Sequence, residues 1–378
     1  MRILYFTRGY TSHDRRFLDA LCALRHEVGL LTLTTAGERI RLAGMPPGSV
    51  ALGTLGFQAA PPASALAGAR FPELRAIVGR FRPDVIHAGP LTDCAYLSTA
   101  IAGTAVVACS WAFDVLFEIR GDPIAESLAR QSLRHCAGLL VDCKTVFDAC
   151  RRLADREFPH CAILPWGITP PPRVCAPMNL RSRAGWPGDA AVVFSTRSFE
   201  RVSDVPTLIS AFAIARSRRP NLRLALAGDG SQRRALEDQA AAAGLGDAVR
   251  FLGQLADDEV FSCFCESDIY ASCALCDGTS VSLLEAMSAG IMPLVTDIPS
   301  NREWITPPTN GWLASPGAPG VFAAAMIEAA DVTPERRAGI RAQNRRQVAE
   351  RADWNANRAK LDALYRAVCA ENPSSPAL

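Results

Sequence analysis

The sequence predicts an α/β protein made of two doubly wound, Rossmann-like domains in series. Three observations predict it: short apolar runs alternate with helical stretches from the first residue, a proline-rich break interrupts them near the middle, and the same alternation restarts beyond the break. Length agrees, because 378 residues exceed what one hydrophobic core usually serves. An apolar content of 49% is enough to fill two cores.

In order along the chain, "RILYF" reads as a buried strand. "HDRRFLDALCAL" reads as a helix with Phe17, Leu18, Leu21 and Leu24 on one face, and "HEVGLLTL" as a second strand. "PDVIHAG", "AVVACSW" and "GLLVDC" repeat the strand pattern, separated by helical stretches such as 124–135. Units of this kind imply a parallel sheet covered by helices on both faces. At "LPWGITPPPRVCAP" the pattern stops, since five prolines from Pro165 to Pro177 can continue neither a helix nor a central strand. The expected domains are therefore 1–170 and 171–353. Beyond the break come "AVVFSTR" (strand), "DVPTLISAFAIARSR" (helix), "LRLALAGDG" (strand), "SQRRALEDQAAAAG" (helix), "VRFLG" (strand), "DDEVFSCFCES" (helix), "DIYASCA" (strand) and "IMPLVTD" (strand). The tail "WNANRAKLDALYRAVCAE" carries Trp354, Leu361, Leu364, Tyr365 and Val368 at helical spacing, which predicts a packed helix over 354–371. Open sheets of this type bind ligands beyond the carboxyl ends of their strands, so two facing domains are expected to hold a cleft between their loops.

Composition excludes several classes. A formal net charge of +2 argues against a nucleic-acid footprint spread over the surface, although a local basic patch would survive such averaging, and nucleic acid is not expected as a partner. The start "MRILYFTRGYTSHD" runs straight into strand-like sequence, and no apolar run reaches bilayer-spanning length, so a cytoplasmic protein is expected. The stretch "FPELRAIVGRFR" mixes Phe71, Leu74, Ile77, Val78 and Phe81 with Arg75, Arg80 and Arg82. Such a basic amphipathic helix can rest on the inner face of an anionic membrane. Packing of its apolar side into the core, with a solvated arginine face, is the favoured reading. Thirteen cysteines form no disulfide framework in a reducing compartment. Cys263, Cys265, Cys273 and Cys276 include a C-x-x-C, but Cys263 and Cys265 point to different sides of a helix and Cys273 falls in a buried strand, which favours small buried hydrophobes over a zinc site.

The stretch "DGTSVSLLEAMSAGIMPLVTD", from Asp277 to Asp297, puts an acid, a glycine and three hydroxyls before a short apolar run. A helix start leaves backbone N–H groups unpaired and partly positive, and small residues there make room for an anion, with phosphate the first candidate. Glu285 lies within the run. It can be read as a capping box with Ser282, but a helix starting near Thr279 or Ser280 is preferred, because the box would leave too short a helix.

With "STRSFERVSDVPTLISAF", "LAGDGSQRRALE" and "DGTSVSLLEAMSAGIMPLVTDIPSNREWI" followed by "NGWL", the second half resembles the retaining glycosyltransferases of the GT4 family, which have the GT-B architecture. The resemblance implies a metal-independent transfer of sugar from a nucleotide-diphosphate sugar, a UDP-sugar being favoured, to a hydroxyl on a glycan, a lipid-linked sugar or a small molecule, with no further cofactor. It also implies roles residue by residue. Glu285 would hold the ribose hydroxyls and Asp277 would face the transferred sugar. Gly278, Thr279, Ser280 and Val281 would offer backbone N–H groups to the diphosphate, and Gly228 opens the G-x-G turn. Arg197 would neutralise the diphosphate, with Arg201 a weaker candidate, since Val202 and Ser203 stand where relatives carry a lysine. Where relatives have the longer glutamate, this chain has Asp277. In the first domain Gly9 stands alone after the first strand, and His13 follows Ser12, an expected N-cap, with Asp14 complementing the helix dipole. His13 is a candidate for touching donor or acceptor. His87, Ser110, Trp111 and Asp114, read at strand ends, are acceptor-side candidates. The resemblance further implies that helix 354–371 packs back on the first domain. Two other functions share the architecture: a nucleotide-sugar-binding or partner-activated module without transfer activity, and a nucleotide-sugar epimerase.

Overall fold

The computed structural model describes residues 1–35, 42, 44–57, 72–168 and 177–371. The chain divides into two compact units, Met1–Trp166 with Asn355–Leu378, and Gly167–Trp354. The proline-rich boundary expected at 170/171 lies outside the described residues, as does Phe71.

In the first unit seven strands form one parallel sheet: β1 (Arg2–Arg8), β2 (Glu27–Thr35), β3 (Ser49–Phe57), β4 (Val85–Gly89), β5 (Ala105–Cys109), β6 (Gly138–Val141) and β7 (Cys161–Ile163). Their order is β3-β2-β1-β4-β5-β6-β7, with Leu4 opposite Gly29 on one side and Ile86 on the other. Every residue of β4 and β5 is buried, which is why these strands read as continuous apolar runs rather than alternating ones. Helix Pro72–Phe81 places Leu74, Ile77, Val78 and Phe81 in the core and leaves Arg75, Arg80 and Arg82 exposed. No helix among the described residues is long and apolar enough to cross a membrane.

Helix Trp354–Glu371 completes this unit. Leu361, Leu364, Tyr365 and Val368 are buried. Gly138 permits the approach, since a Cβ there would sit 2.8 Å from Cγ2 of Val368. Polar ties accompany the packing: the Tyr365 hydroxyl lies 2.6 Å from Nδ1 of His87, Asp362 lies 2.8 Å from Nε2 of His26, and Nδ2 of Asn357 donates to the Pro165 carbonyl at 3.0 Å.

The second unit repeats the plan with six parallel strands: β8 (Ala191–Ser195), β9 (Leu222–Ala227), β10 (Val249–Gly253), β11 (Ile269–Ser272), β12 (Met292–Thr296) and β13 (Trp312–Ala314), ordered β10-β9-β8-β11-β12-β13. Both sheets are doubly wound, as the alternation predicted. The strand order reverses between β1 and β4 in the first sheet and between β8 and β11 in the second. Loops leaving those strand pairs diverge to opposite sides of the sheet and leave the crevice in which such folds take ligands.

Candidate active site

At the switch point of the second sheet, the segments following β8 and β11 converge. Arg197, just beyond β8, places Nη1 2.8 Å from Oδ2 of Asp277 and donates from the same nitrogen to Oγ of Ser280 at 3.0 Å. Burial works against the charge of Arg197, and the Asp277 carboxylate and Tyr270 phenol more than offset it, so its pKa stands above the ordinary arginine value. Asp277 is fixed through its backbone, whose carbonyl accepts from the Ser300 hydroxyl at 2.8 Å. Gly278, Thr279 and Ser280 are buried, and Nε1 of Trp304 donates to Oγ1 of Thr279 at 3.4 Å.

Ser280 is the N-cap of helix Val281–Ala289, which ends where Gly290 turns left-handed at φ 84°. The helix therefore starts where the preferred reading put it. Ser282 lies inside it, so a capping box from Ser282 to Glu285 is excluded, and Glu285 sits half-buried in the second turn. A chain of hydroxyls runs beneath the helix start: Ser280 Oγ is 3.0 Å from Ser282 Oγ, which is 2.7 Å from the hydroxyl of Tyr270 on β11. Ser195 Oγ, Thr196 Oγ1 and Arg197 Nε, all at the end of β8, are buried without a hydrogen-bond partner.

The G-x-G turn acquires a reason other than approach to a ligand. A Cβ on Gly228 (φ 144°) would lie 2.5 Å from the Arg197 carbonyl oxygen, and one on Gly230 (φ 158°) 2.7 Å from that of Phe199. The glycines let the turn after β9 pack against the segment that carries Arg197. Arg201 is exposed in a short 3₁₀ turn, Arg201–Ser203, and Ser203 is buried with its hydroxyl 3.1 Å from that of Ser198.

The first unit places its candidates less uniformly. Gly9 has φ 76°, with nothing within 4 Å of where a Cβ would be, and its N–H donates to the Leu33 carbonyl. The N-cap of the following helix is Thr11 rather than the expected Ser12. The reason is Asp14, which does more than complement a dipole: its buried carboxylate accepts from the Thr11 N–H (2.6 Å), the Thr11 hydroxyl (2.7 Å), the Thr7 hydroxyl (2.8 Å) and the Tyr5 hydroxyl (3.0 Å). His13 is exposed beside it in the first turn.

His87 is not at a strand end facing solvent. It is 1% exposed in β4, stacked on Tyr5 at 4.5 Å and bonded to Tyr365. Burial pushes its pKa down to about 3, so it is a neutral core residue with no surface to offer an acceptor. Ser110 and Asp114 are likewise buried and bonded to one another at 2.7 Å. Asp114 also accepts from the backbone N–H of Leu91 (2.7 Å) and Trp111 (3.1 Å), tying together the loops after β4 and β5, where Ala112 adopts φ 64°. Burial, only partly relieved by these donors, raises its pKa to about 6. Ser110 and Asp114 thus shape loops, and of the four acceptor-side candidates only Trp111 keeps part of its surface exposed. Sequence reasoning missed Arg8. Partly exposed at the end of β1, it pairs with Glu118 at 2.8 Å and Asp93 at 3.3 Å. The available signal was a charge closing a strand with an apolar centre immediately before Gly9.

Cys263, Cys273 and Cys276 are buried and Cys265 is exposed. Among the described residues no group of three or more His, Cys, Asp or Glu side chains is arranged to hold a metal ion.

Residues 179–347 match the family described as Glycosyl transferases group 1. A curated relative, the GDP-mannose:cellobiosyl-diphosphopolyprenol alpha-mannosyltransferase of Komagataeibacter xylinus, is 28% identical over 165 residues, 43% of this chain and 41% of the relative. The chain spans about half the length of the curated relatives it matches, 41% and 51% of the two. Among solved structures, sucrose-phosphate synthase from Thermosynechococcus elongatus superimposes with a TM-score of 0.80 at 18% identity, covering 98% of this chain and all of that one (100%). HepE of Anabaena, solved in complex with UDP-glucose, gives a TM-score of 0.78 at 18% identity over 97% of this chain and 100% of its own. At these identities the structural likeness establishes the GT-B fold and no more.

Proposed function

Taking residues 179–347 as a group 1 glycosyltransferase domain, we propose that the chain is a retaining glycosyltransferase that moves a sugar from a nucleotide-diphosphate donor to a hydroxyl acceptor without requiring a metal ion. One observation carries this reading: a guanidinium, an acid and a helix start without a side-chain cap meet at the switch point of the second sheet. An anion at that point finds the positive end of a helix and a fixed arginine together. In this proposal the diphosphate takes up Arg197, sharing or replacing its bond to Asp277, and Asp277 turns its carboxylate to the sugar. Glu285, one turn further into the helix, accepts both hydroxyls of the ribose, as a carboxylate can from a vicinal diol.

As the bond from the anomeric carbon to the diphosphate breaks, charge gathers on the departing phosphate oxygens. Arg197 and the first-turn N–H groups stabilise it, the part a divalent ion plays in other folds. The acceptor oxygen forms its bond to the anomeric carbon from the face the diphosphate leaves, and its proton passes to the leaving phosphate oxygen. Configuration is thereby retained. The reaction belongs to the cytoplasm.

A UDP-sugar is the proposed donor, supported by the complex of HepE with UDP-glucose. The curated mannosyltransferase relative supports a second donor reading, GDP-mannose with a polyprenol-linked acceptor. Incubating the protein with UDP- and GDP-sugars, with and without candidate acceptors, and following the anomeric proton by NMR tests the proposal. Slow donor hydrolysis or transfer with the donor's anomeric configuration supports it. Donor recovered as another stereoisomer identifies an epimerase, and complete inertness toward bound donor identifies a binding module.

A further inference from the structure

An N-cap serine ordinarily turns its oxygen onto the N–H groups two or three residues ahead. Ser280 has the backbone of an N-cap, φ −65° and ψ 118°, but makes no such bond. Its oxygen is engaged instead by Arg197 Nη1 at 3.0 Å and lies 3.0 Å from Ser282 Oγ. Ser282 in turn lies 2.7 Å from the Tyr270 hydroxyl. Tyr270 is fully buried and packs edge-on against Phe264 with ring centroids 5.7 Å apart, so the position of its hydroxyl is set by the core of the sheet.

Counting lone pairs gives the chain a direction. A hydroxyl has one proton and two acceptor sites. The Tyr270 oxygen is within reach of the Ser272 hydroxyl and of Arg197, which leaves its own proton for Ser282. Ser282 then donates to Ser280, whose two acceptor sites are filled by Ser282 and Arg197. The Ser280 proton is left to point away from the network. We infer that Tyr270 and Ser282 are positioning residues for the diphosphate half of the donor: they hold Ser280 off its own helix, so that its hydroxyl, the uncapped first-turn N–H groups and Arg197 all remain available to one anion. The inference rests on the donor-site reading above. A separate observation agrees with it, since Nε of Arg197, the arginine that engages Ser280, is buried without a partner. Buried polar atoms seldom stay unpaired, and the oxygens of a ligand would satisfy them.

The consequence is a split between diphosphate and nucleoside binding. Removing the Ser282 hydroxyl frees Ser280 to cap its own helix, and alanine suits a helix better than serine. The same change leaves the buried Tyr270 proton without its acceptor, so the two effects on melting oppose one another. Ser282→Ala should bind UDP about three- to tenfold more weakly, the range for one positioned hydrogen bond. Uridine, which lacks the diphosphate, should bind both proteins equally. Tyr270→Phe keeps the ring in the core and should show the same split. The measurement is calorimetric titration of UDP and uridine, or of GDP and guanosine if wild type prefers them, alongside thermal melting. A Ser282→Ala protein that binds the diphosphate as tightly as wild type overturns the inference and leaves the donor site standing, as does a parallel loss of nucleoside. Wild type that binds neither nucleoside diphosphate sinks the donor-site reading itself, and the inference with it.

Discussion

Replacing Asp277 with asparagine should tighten the binding of a nucleoside diphosphate while slowing transfer. In the structure Asp277 holds Arg197 at 2.8 Å, with side chains 24% and 17% exposed respectively. Solvated ion pairs contribute about 0.2–1 kcal/mol, and hydrogen bonds to charged groups about 1.5–3 kcal/mol. Partial exposure screens this pair, which places it near 1 kcal/mol. In the proposed site a diphosphate would share or displace that bond, so removing the competing carboxylate should return about 1 kcal/mol, or roughly fivefold in affinity. Loss of like-charge repulsion acts in the same direction. Calorimetric titration of UDP into wild type and Asp277→Asn at low and high salt reads the effect, and the gain should shrink as salt rises. Turnover of the nucleotide sugar should fall, because the acid is lost from the reacting half of the site. Unchanged or weaker UDP binding by Asp277→Asn would refute the idea that the two anions compete for Arg197.

Truncation before Trp354 should unfold the first unit rather than merely soften it. Leu361, Leu364, Tyr365 and Val368 are 0–5% exposed, and at about 1.5–3 kcal/mol for each buried side chain their loss rivals the whole stability of a domain. Proteolysis confined to the first unit is the expected readout, and unchanged melting would contradict it. Asp114 predicts a pH dependence with a definite sign. Its folded pKa of about 6 lies above the ordinary 3.8, chiefly through burial and in smaller part through Glu118, so the fold favours the protonated acid. The stabilisation is complete below pH 3.8 and is lost as pH rises through about 6, a span of about 3 kcal/mol. The stability difference between wild type and Asp114→Asn, measured by denaturant unfolding, should accordingly shift in favour of wild type as pH falls from about 7 to 4. A flat difference would contradict the assignment.

Much of the fold was legible because fully buried parallel strands announce themselves as apolar runs, as β4, β5 and β12 do. The elements that hide have physical reasons to. β3 is an edge strand containing Gly53 and Gly56, with Val50 exposed, so it lacks the apolar run of its neighbours. Helix Pro334–Arg351 is almost wholly polar and buries only Ile340, Asn344 and Val348, too few to produce a periodicity. At the site, the start of helix Val281–Ala289 was readable from its small polar residues and the Ala289-Gly290 stop. The pairing of Arg197 with Asp277 was not, because it is made by strand order rather than by spacing. His87 misled because a histidine near the end of an apolar strand looks the same in sequence whether it meets solvent or, as here, the hydroxyl of Tyr365 from the last helix. The engagement of the Ser280 side chain was also not legible, since only the distances show that Arg197 and Ser282 have claimed its oxygen.

Binding of a donor diphosphate at Arg197 is tested most directly by titrating UDP and uridine, with GDP and guanosine in parallel, against wild type and Arg197→Ala. Wild type should bind the diphosphate well above the nucleoside. Arg197→Ala should lose about 1.5–3 kcal/mol for the diphosphate, the value of a charge-assisted contact, and nothing for the nucleoside. Equal losses for both ligands, or a wild type that does not distinguish them, would contradict a diphosphate site at the start of helix Val281–Ala289.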